Sequence, residues 1–334
     1  VNAKLILTSI LLGSALNTAA FQSLESNYRT TGNGVVAAFE PQRQVLQTSS
    51  AVVLDGRREI QYGVVVSPEG HILTKASELK EVKKLGVTVD GTQYKEVEIV
   101  GTDEDWDVAL LKVPAAGLIP VVYAPTSAVE QGTWVVANGA TTRTKRRLLA
   151  GIISAKPREI PIAGGAAIGL QLETKGKQLE IKEVVEKSGA EEAGLKKGDL
   201  VISVDGKAIS KIEEMAEALK GKKPGVIVKV IVSRAKKEMA FDVKLMARSK
   251  MVEEEVTRND QMSGDYSARR SGFPRVLQHD VMLGSRRNIG GPLLDLDGRC
   301  LGMNIARVNR CENFTIPCEE LKEIAARMIK EAAK

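Results

Sequence analysis

Residues 288–304 read NIGGPLLDLDGRCLGMN, and the apolar run continues through Ile305 and Ala306. Two apolar stretches, Pro292–Leu294 and Cys300–Ala306, flank Asp297-Gly298, a pair suited to a tight reversal because glycine accepts a positive φ and aspartate tolerates one. The stretch therefore reads as a β-hairpin, and ENFTIP (312–317) supplies a further short strand. The same grammar fills the sequence from about Val45 to Val113, in SAVVLDG, QYGVVVSPEGHILT, GVTVDGTQY and DVALLKV. Ser67-Pro68-Glu69-Gly70 and Asp90-Gly91 mark its turns. After Pro114, TWVVANGA and LLAGIISA open a second β-rich block that resumes at residue 273. Short strands at close spacing place the protein in the mainly-β class.

Composition bounds the rest. A length of 334 residues is enough for two or three domains, since single cores rarely grow past ~250 residues. The hydrophobic fraction of 43% is ordinary, and 30 glycines suit a turn-rich β protein. The net charge of +6, from 48 basic and 42 acidic residues, comes with no basic-aromatic motif, so no nucleic-acid partner is expected. Cys300, Cys311 and Cys318 form neither a zinc spacing nor a CxxC pair, and no metal or cofactor is implied. Residues 1–20 carry Lys4, an apolar stretch from Leu5 to Leu16 and then Thr18, Ala19 and Ala20, the layout of a signal peptide cleaved after Ala20. That apolar core is shorter than the ~20 residues that span a bilayer. The expectation is an exported protein, periplasmic or extracellular; Val1 read as a non-AUG start suggests a bacterium.

Between the two parts of the second β block, residues 161–248 have their own mixed α/β pattern. Four features, Ile168-Gly169-Leu170, Ser188-Gly189-Ala190 with Ala193-Gly194-Leu195, Gly198-Asp199-Leu200-Val201 and Val204-Asp205-Gly206, make this segment resemble a bacterial PDZ domain over nearly its whole length. A PDZ domain adds the C-terminus of a polypeptide as a strand to a sheet edge and holds its carboxylate on loop amides. On that resemblance Gly169 lets the loop turn, and Leu170, Gln171 and Leu172 begin the edge strand. Ser210-Lys211-Ile212-Glu213 has the form of a capping box, opening a helix whose Ile212, Met215, Ala216 and Leu219 share a face. Part of that face is core and part lines the groove; a PDZ fold that only braces the barrels is the alternative.

The flanking β segments resemble the HtrA family of trypsin-like serine proteases. GVVVSPEGHILTKASEL, DEDWDVALLKV, GTWVVANGA, AGIISA, NIGGPLLDLDGRCLGMN and FTIPCEELKEIA carry the likeness. It implies a trypsin-like double β-barrel with an α/β PDZ domain inserted in the second barrel. The plan is a first barrel over 45–113, a second over 114–160 and 273–318, the PDZ domain over 161–248, a polar linker or mobile loop over 249–272 and an amphipathic helix over 319–334. Family PDZ domains follow the protease; here the domain sits between two strands of the second barrel.

A hydrolase of this type needs a serine, an imidazole and a carboxylate. By the resemblance Asp107 fills the carboxylate position, but Ser77 stands where the imidazole belongs and Ile289 where the nucleophile belongs. Arg287 replaces a glycine of the oxyanion loop. His71 and His279 read as ordinary surface or turn histidines, and Ser285 is four residues out of register. The expectation is a non-catalytic homologue that binds peptides or protein C-termini as adaptor, scaffold or quality-control factor. The alternative is an active endopeptidase with an unrecognised residue set. A trimer follows only by family analogy, since residues 21–44 are polar and uninformative. The family's last two strands, paired about a turn near Asn309, would also set Cys300 opposite Cys318, so a disulfide is expected there, with Cys311 left over. A one-residue change of register would leave three thiols instead.

Overall fold

Asp90 and Gly91 both take positive φ, 44° and 79°, and close a two-residue hairpin in which Val89 faces Thr92. Seven antiparallel strands make up this unit: β1 (Ser50–Asp55), β2 (Arg58–Val65), β3 (His71–Lys75), β4 (Leu85–Val89), β5 (Thr92–Tyr94), β6 (Glu98–Asp103) and β7 (Val108–Lys112). Their order is β5-β4-β1-β2-β3-β7-β6. The two-residue period sorts side chains onto two faces. Ala51, Val53, Val65, Ile72, Ala109 and Leu111 share one cluster, while Val64, Leu73, Val108 and Leu110 face another. Both faces are buried, which is why these strands read as continuous apolar runs. The computed structural model describes residues 25–29, 32–139, 146–162, 165–176, 178–248 and 258–333. The expected signal peptide lies outside the described residues.

The second unit begins with β8 (Trp134–Asn138) and the long β9 (Leu148–Ile160). The backbone then leaves it for β10 (Ala166–Ala167), β11 (Leu170–Lys175), β12 (Gln178–Val184), β13 (Leu200–Val204), β14 (Lys207–Ala208), β15 (Ile227–Arg234), β16 (Lys237–Lys244) and β17 (Met246–Ala247). It returns as β18 (Phe273–His279), β19 (Pro292–Leu294), β20 (Cys300–Arg307) and β21 (Asn313–Pro317). The strands β18-β21-β20-β19-β8-β9 form a closed barrel. Ile160 of β9 pairs with Phe273 of β18, so the inserted segment replaces a hairpin loop and the barrel closes without it. The insert is the expected α/β unit, with strand order β11-β12-β13-β15-β16 and a core of its own. Ala166 pairs with Ala247, which brings its two ends together.

Six helices complete the described fold: α1 (Asn33–Ala38), α2 (Glu40–Ser49), α3 (Gly189–Ala193), α4 (Ile212–Leu219), α5 (Arg258–Ser263) and α6 (Cys318–Ala332). Residues 45–49, expected to open the first β block, are helical, because Leu46 is drawn into the core between the two barrels. Phe39 stacks on Trp134 at 6.3 Å, so the polar-looking N-terminal stretch docks on the second barrel. The stripe of α6, Leu321, Ile324, Ala325 and Met328, enters the same inter-barrel cluster and therefore contacts both barrels.

Two expectations need correction. The segment 249–272 is not simply a linker: residues 249–257 lie outside the described part, while Ser263 and Ser267 are buried at 3% and 0% exposure. Backbone and guanidinium hydrogen bonds, not apolar periodicity, hold it, so hydrophobic patterning could not reveal it. The disulfide is also absent: all three cysteines are free, Cys300 and Cys318 buried and Cys311 exposed. Gly302 pairs with Pro317, so the next ladder place beyond Pro317 falls to Leu301, one residue out from Cys300. A slip of one residue turns a side chain to the other face. Burial then pushes both thiols up to about 12.

Candidate functional site

Asp107 precedes β7 with φ of 58°, a left-handed conformation that non-glycine residues seldom take, and is 5% exposed. Ser77, just past β3, donates its N–H to Asp107 Oδ1 at 2.8 Å and its hydroxyl to Oδ2 at 2.8 Å. The fold thus brings Ser77 and Asp107 together. The proton that an imidazole would carry toward a nucleophile is here a serine hydroxyl pointed back at the carboxylate.

Lys75 is the residue sequence reasoning missed. Its ammonium has no exposure and sits 2.7 Å from Asp107 Oδ2. It also donates to Ile305 O at 2.9 Å and to Arg269 O at 3.2 Å, so all three of its protons are used. Burial pulls its pKa down, and the Asp107 charge pulls it back up. A lysine two residues before Ser77, the position that the resemblance gives to the imidazole, was the available signal. Only the tertiary structure shows that it turns inward and fastens β3 to β20 and to the returning segment.

The side chain of Ile289 is turned into the core. It is 0% exposed and packs with Val135, Ile153, Leu277 and Leu293 inside the second barrel. Gly290 follows at φ 84°, and a Cβ there would lie 2.2 Å from Tyr62 O, so glycine is needed for the backbone to pass. The amides of the turn that the resemblance likens to an oxyanion loop are occupied as well. Arg287 N–H donates to Ser285 Oγ at 3.2 Å, and Ile289 N–H to Arg286 O at 3.4 Å. Donors already satisfied within a short helical turn cannot stabilise a developing oxyanion. Ser285 is thereby a cap for that turn.

The histidines divide. His71 bonds Ser67 Oγ through Nδ1 at 2.7 Å inside its hairpin. His279 corrects the expectation of a surface or turn residue, being 0% exposed. Its Nδ1 accepts from Val281 N–H at 3.2 Å, so Nε2 carries the proton and donates to Asn304 Oδ1 at 2.7 Å. Burial holds it neutral, with its pKa lowered to about 4.

In the insert, β11 is an edge strand, and its outer side is unpaired among the described strands. Gly169 precedes it at φ 92°, a conformation that frees the turn from any side chain. Gly169 O accepts from Val185 N–H and Ile168 O from Ala190 N–H, which fixes the loop against the body of the domain. Ile168 and Met215 are core residues, while Leu170, Leu172 and Leu219 are half-buried. Gln171, Ile212 and Ala216 are exposed, Ile212 at 49%. The cap of α4 also differs from expectation by one residue. Glu214, not Glu213, accepts from Ser210 N–H at 2.7 Å and from Lys211 N–H at 3.1 Å.

Two family models match the sequence: a trypsin-like peptidase domain over residues 61–188 and a PDZ domain over 166–245. Their overlap, 166–188, lies in β10, β11 and β12 and the loop after them, within the insert. A probable periplasmic serine endoprotease DegP-like from Pseudomonas fulva is 34% identical over 99 residues, 30% of this chain and 21% of that protein. Its counterpart from Halomonas elongata is 31% identical over 105 residues, 31% of this chain and 22% of that one. The match thus spans about a fifth of the length of these relatives. The solved serine endoprotease from Yersinia pestis shares 17% identity at a TM-score of 0.39, covering 62% of this chain and 97% of that one. A likeness at that score carries no argument.

Proposed function

We propose that this protein, whose sequence matches a trypsin-like peptidase domain and a PDZ domain, is a scaffold of the HtrA type that recognises peptides without cutting them. One observation carries the reading: every group of the catalytic position is engaged in holding the fold. Asp107 is paired with Lys75, Ser77 is bonded to Asp107, Ile289 is in the core, and the Arg287 and Ile289 amides are taken. In subtilisin, loss of the serine or histidine alone costs on the order of 10⁶ in turnover.

The binding surface is the free edge of β11 beside α4. A polypeptide C-terminus would add to that edge through backbone hydrogen bonds, its carboxylate at the Gly169 loop and its apolar last side chain against Leu170, Leu172 and Leu219. The clients would be peptides or protein C-termini, met in the periplasm or outside the cell, as the naming of the relatives suggests. An adaptor, scaffold or quality-control role follows.

Peptides ending in a free carboxylate and an apolar residue should bind in the range of about 1 μM to 1 mM by fluorescence polarisation. Amidation of the terminus should weaken them sharply, as should Gly169→Val, which forces a β-branched side chain into a left-handed conformation. The same preparation should leave casein intact and should not label with a fluorophosphonate. Equal affinity for acid and amide peptides would overturn the groove, and labelling above background would restore the endopeptidase reading.

A further inference from the structure

The backbone amide of Arg287 is engaged by Ser285, but its guanidinium has no hydrogen bond or ion pair among the described residues. The acids around the turn Arg286–Asn288 are already taken, since Arg286 pairs with Asp265 at 3.1 Å and with Glu78 at 3.8 Å. Arg287 borders a cavity of about 310 Å³ between that turn and the start of β2. Arg58, on the β2 wall, is likewise without a side-chain partner among the described residues, and Glu59 beside it pairs with neither arginine.

The fold holds these walls in place. Tyr62 N–H donates to Ile289 O at 2.8 Å, which joins β2 to the turn. Val53 pairs with Gln61 and Leu54 with Glu59, so Ile60 is a bulge. A regular strand sends neighbouring residues to opposite faces; the bulge lets Arg58, Glu59, Gln61 and Tyr62 border one cavity. Tyr62 is fixed in turn by its hydroxyl, which donates to Gly139 O at 2.5 Å, and by the Arg146 guanidinium 5.1 Å from its ring.

We propose that this cavity binds a free acidic α-amino acid, with its two carboxylates on Arg58 and Arg287 and its ammonium on Glu59. Two cations and one carboxylate border the cavity without pairing among themselves. The ligand that complements them carries two negative charges and one positive. A guanidinium is the side chain best shaped for a carboxylate, which it grips through two parallel N–H···O bonds. The volume lies near the lower end of the ~300–1,000 Å³ of small-molecule sites and suits one such molecule. Because the amides of the turn are engaged internally, recognition falls to side chains, and an uncharged polypeptide backbone is a poor occupant.

The test is isothermal titration calorimetry of the full-length protein with L-glutamate, at an ionic strength held constant with sodium chloride. A Kd of about 1 mM or below is expected. Arg58→Ala and Arg287→Ala should each weaken binding at least about tenfold, as loss of a charge-assisted bond does. Glutarate, the same dicarboxylate without the ammonium, should bind at least about tenfold more weakly, and Glu59→Gln should erase that difference. Arg58, Glu59 and Arg287 are exposed, so urea unfolding of the variants should match the parent and separate lost binding from lost structure. Absence of L-glutamate binding overturns the proposal, as does undiminished binding by both arginine variants or equal affinity for glutarate. None of these outcomes bears on the PDZ groove, which fails or stands on the acid-against-amide comparison.

Discussion

At the scale of the residue, the Asp107 carboxylate is a fastening of the fold. Lys75 and Asp107 form an ion pair with 0% and 6% side-chain exposure, and the lysine spans three segments of backbone. Removing one member of a buried pair strands the other charge, at a cost of roughly 3–5 kcal/mol, while removing both charges is far milder. Lys75→Met should therefore lower unfolding free energy by about that amount in urea titrations. Adding Asp107→Asn should recover most of the loss, because asparagine tolerates the left-handed backbone and still accepts from Ser77. Single changes that simply add in the double variant would show that the pair is not coupled.

At the scale of the element, register decides the chemistry of the cysteines. Hairpin β20–β21 pairs Gly302 with Pro317, and α6 begins directly at Cys318, so its thiol is carried onto the helix and out of register with Cys300. Alkylation of the native, non-reduced protein should modify Cys311 alone. After unfolding, still without reductant, intact mass should show three modified cysteines. A single modified cysteine in the unfolded sample would reveal a bridge and a register different from this one. The return segment makes the same point: Ser263 and Ser267 are buried although nothing in SGDYSARRSG alternates or repeats, because carbonyls of an otherwise polar run satisfy Arg307.

At the scale of the whole molecule, the insert has a core of its own. Its cluster, from Ile168 through Leu245, shares no residue with the barrel clusters, and Ala166 lies against Ala247 at its neck. Residues 165–248 expressed alone should unfold cooperatively and keep the preference for acid over amide peptides. Loss of folding in that fragment would mean that the barrels supply part of its core. The barrels differ in this respect, since Leu46, Val64, Leu110, Phe314 and Ile324 come from both units and both flanking helices to form one cluster. They should not be separable.

The sequence by itself determined the strands, their turns, the PDZ segment and which residues stand at positions 77, 107 and 289. Those rest on local patterns: alternation in HILTK, positive-φ pairs such as Asp90-Gly91, and the identity of single residues at Ser77 and Ile289. What only the tertiary structure decided was where polar groups find their partners. Lys75 reads as an ordinary strand lysine until Ile305 and Arg269, far along the sequence, supply its acceptors. His279 reads as a surface residue until the barrel closes over it, and residues 263–272 read as a linker until Arg307 holds them. Hydrophobic patterning is periodic and local, so it is visible in one dimension. A buried hydrogen bond has no period, and its cost or benefit exists only once folding has brought both partners out of water.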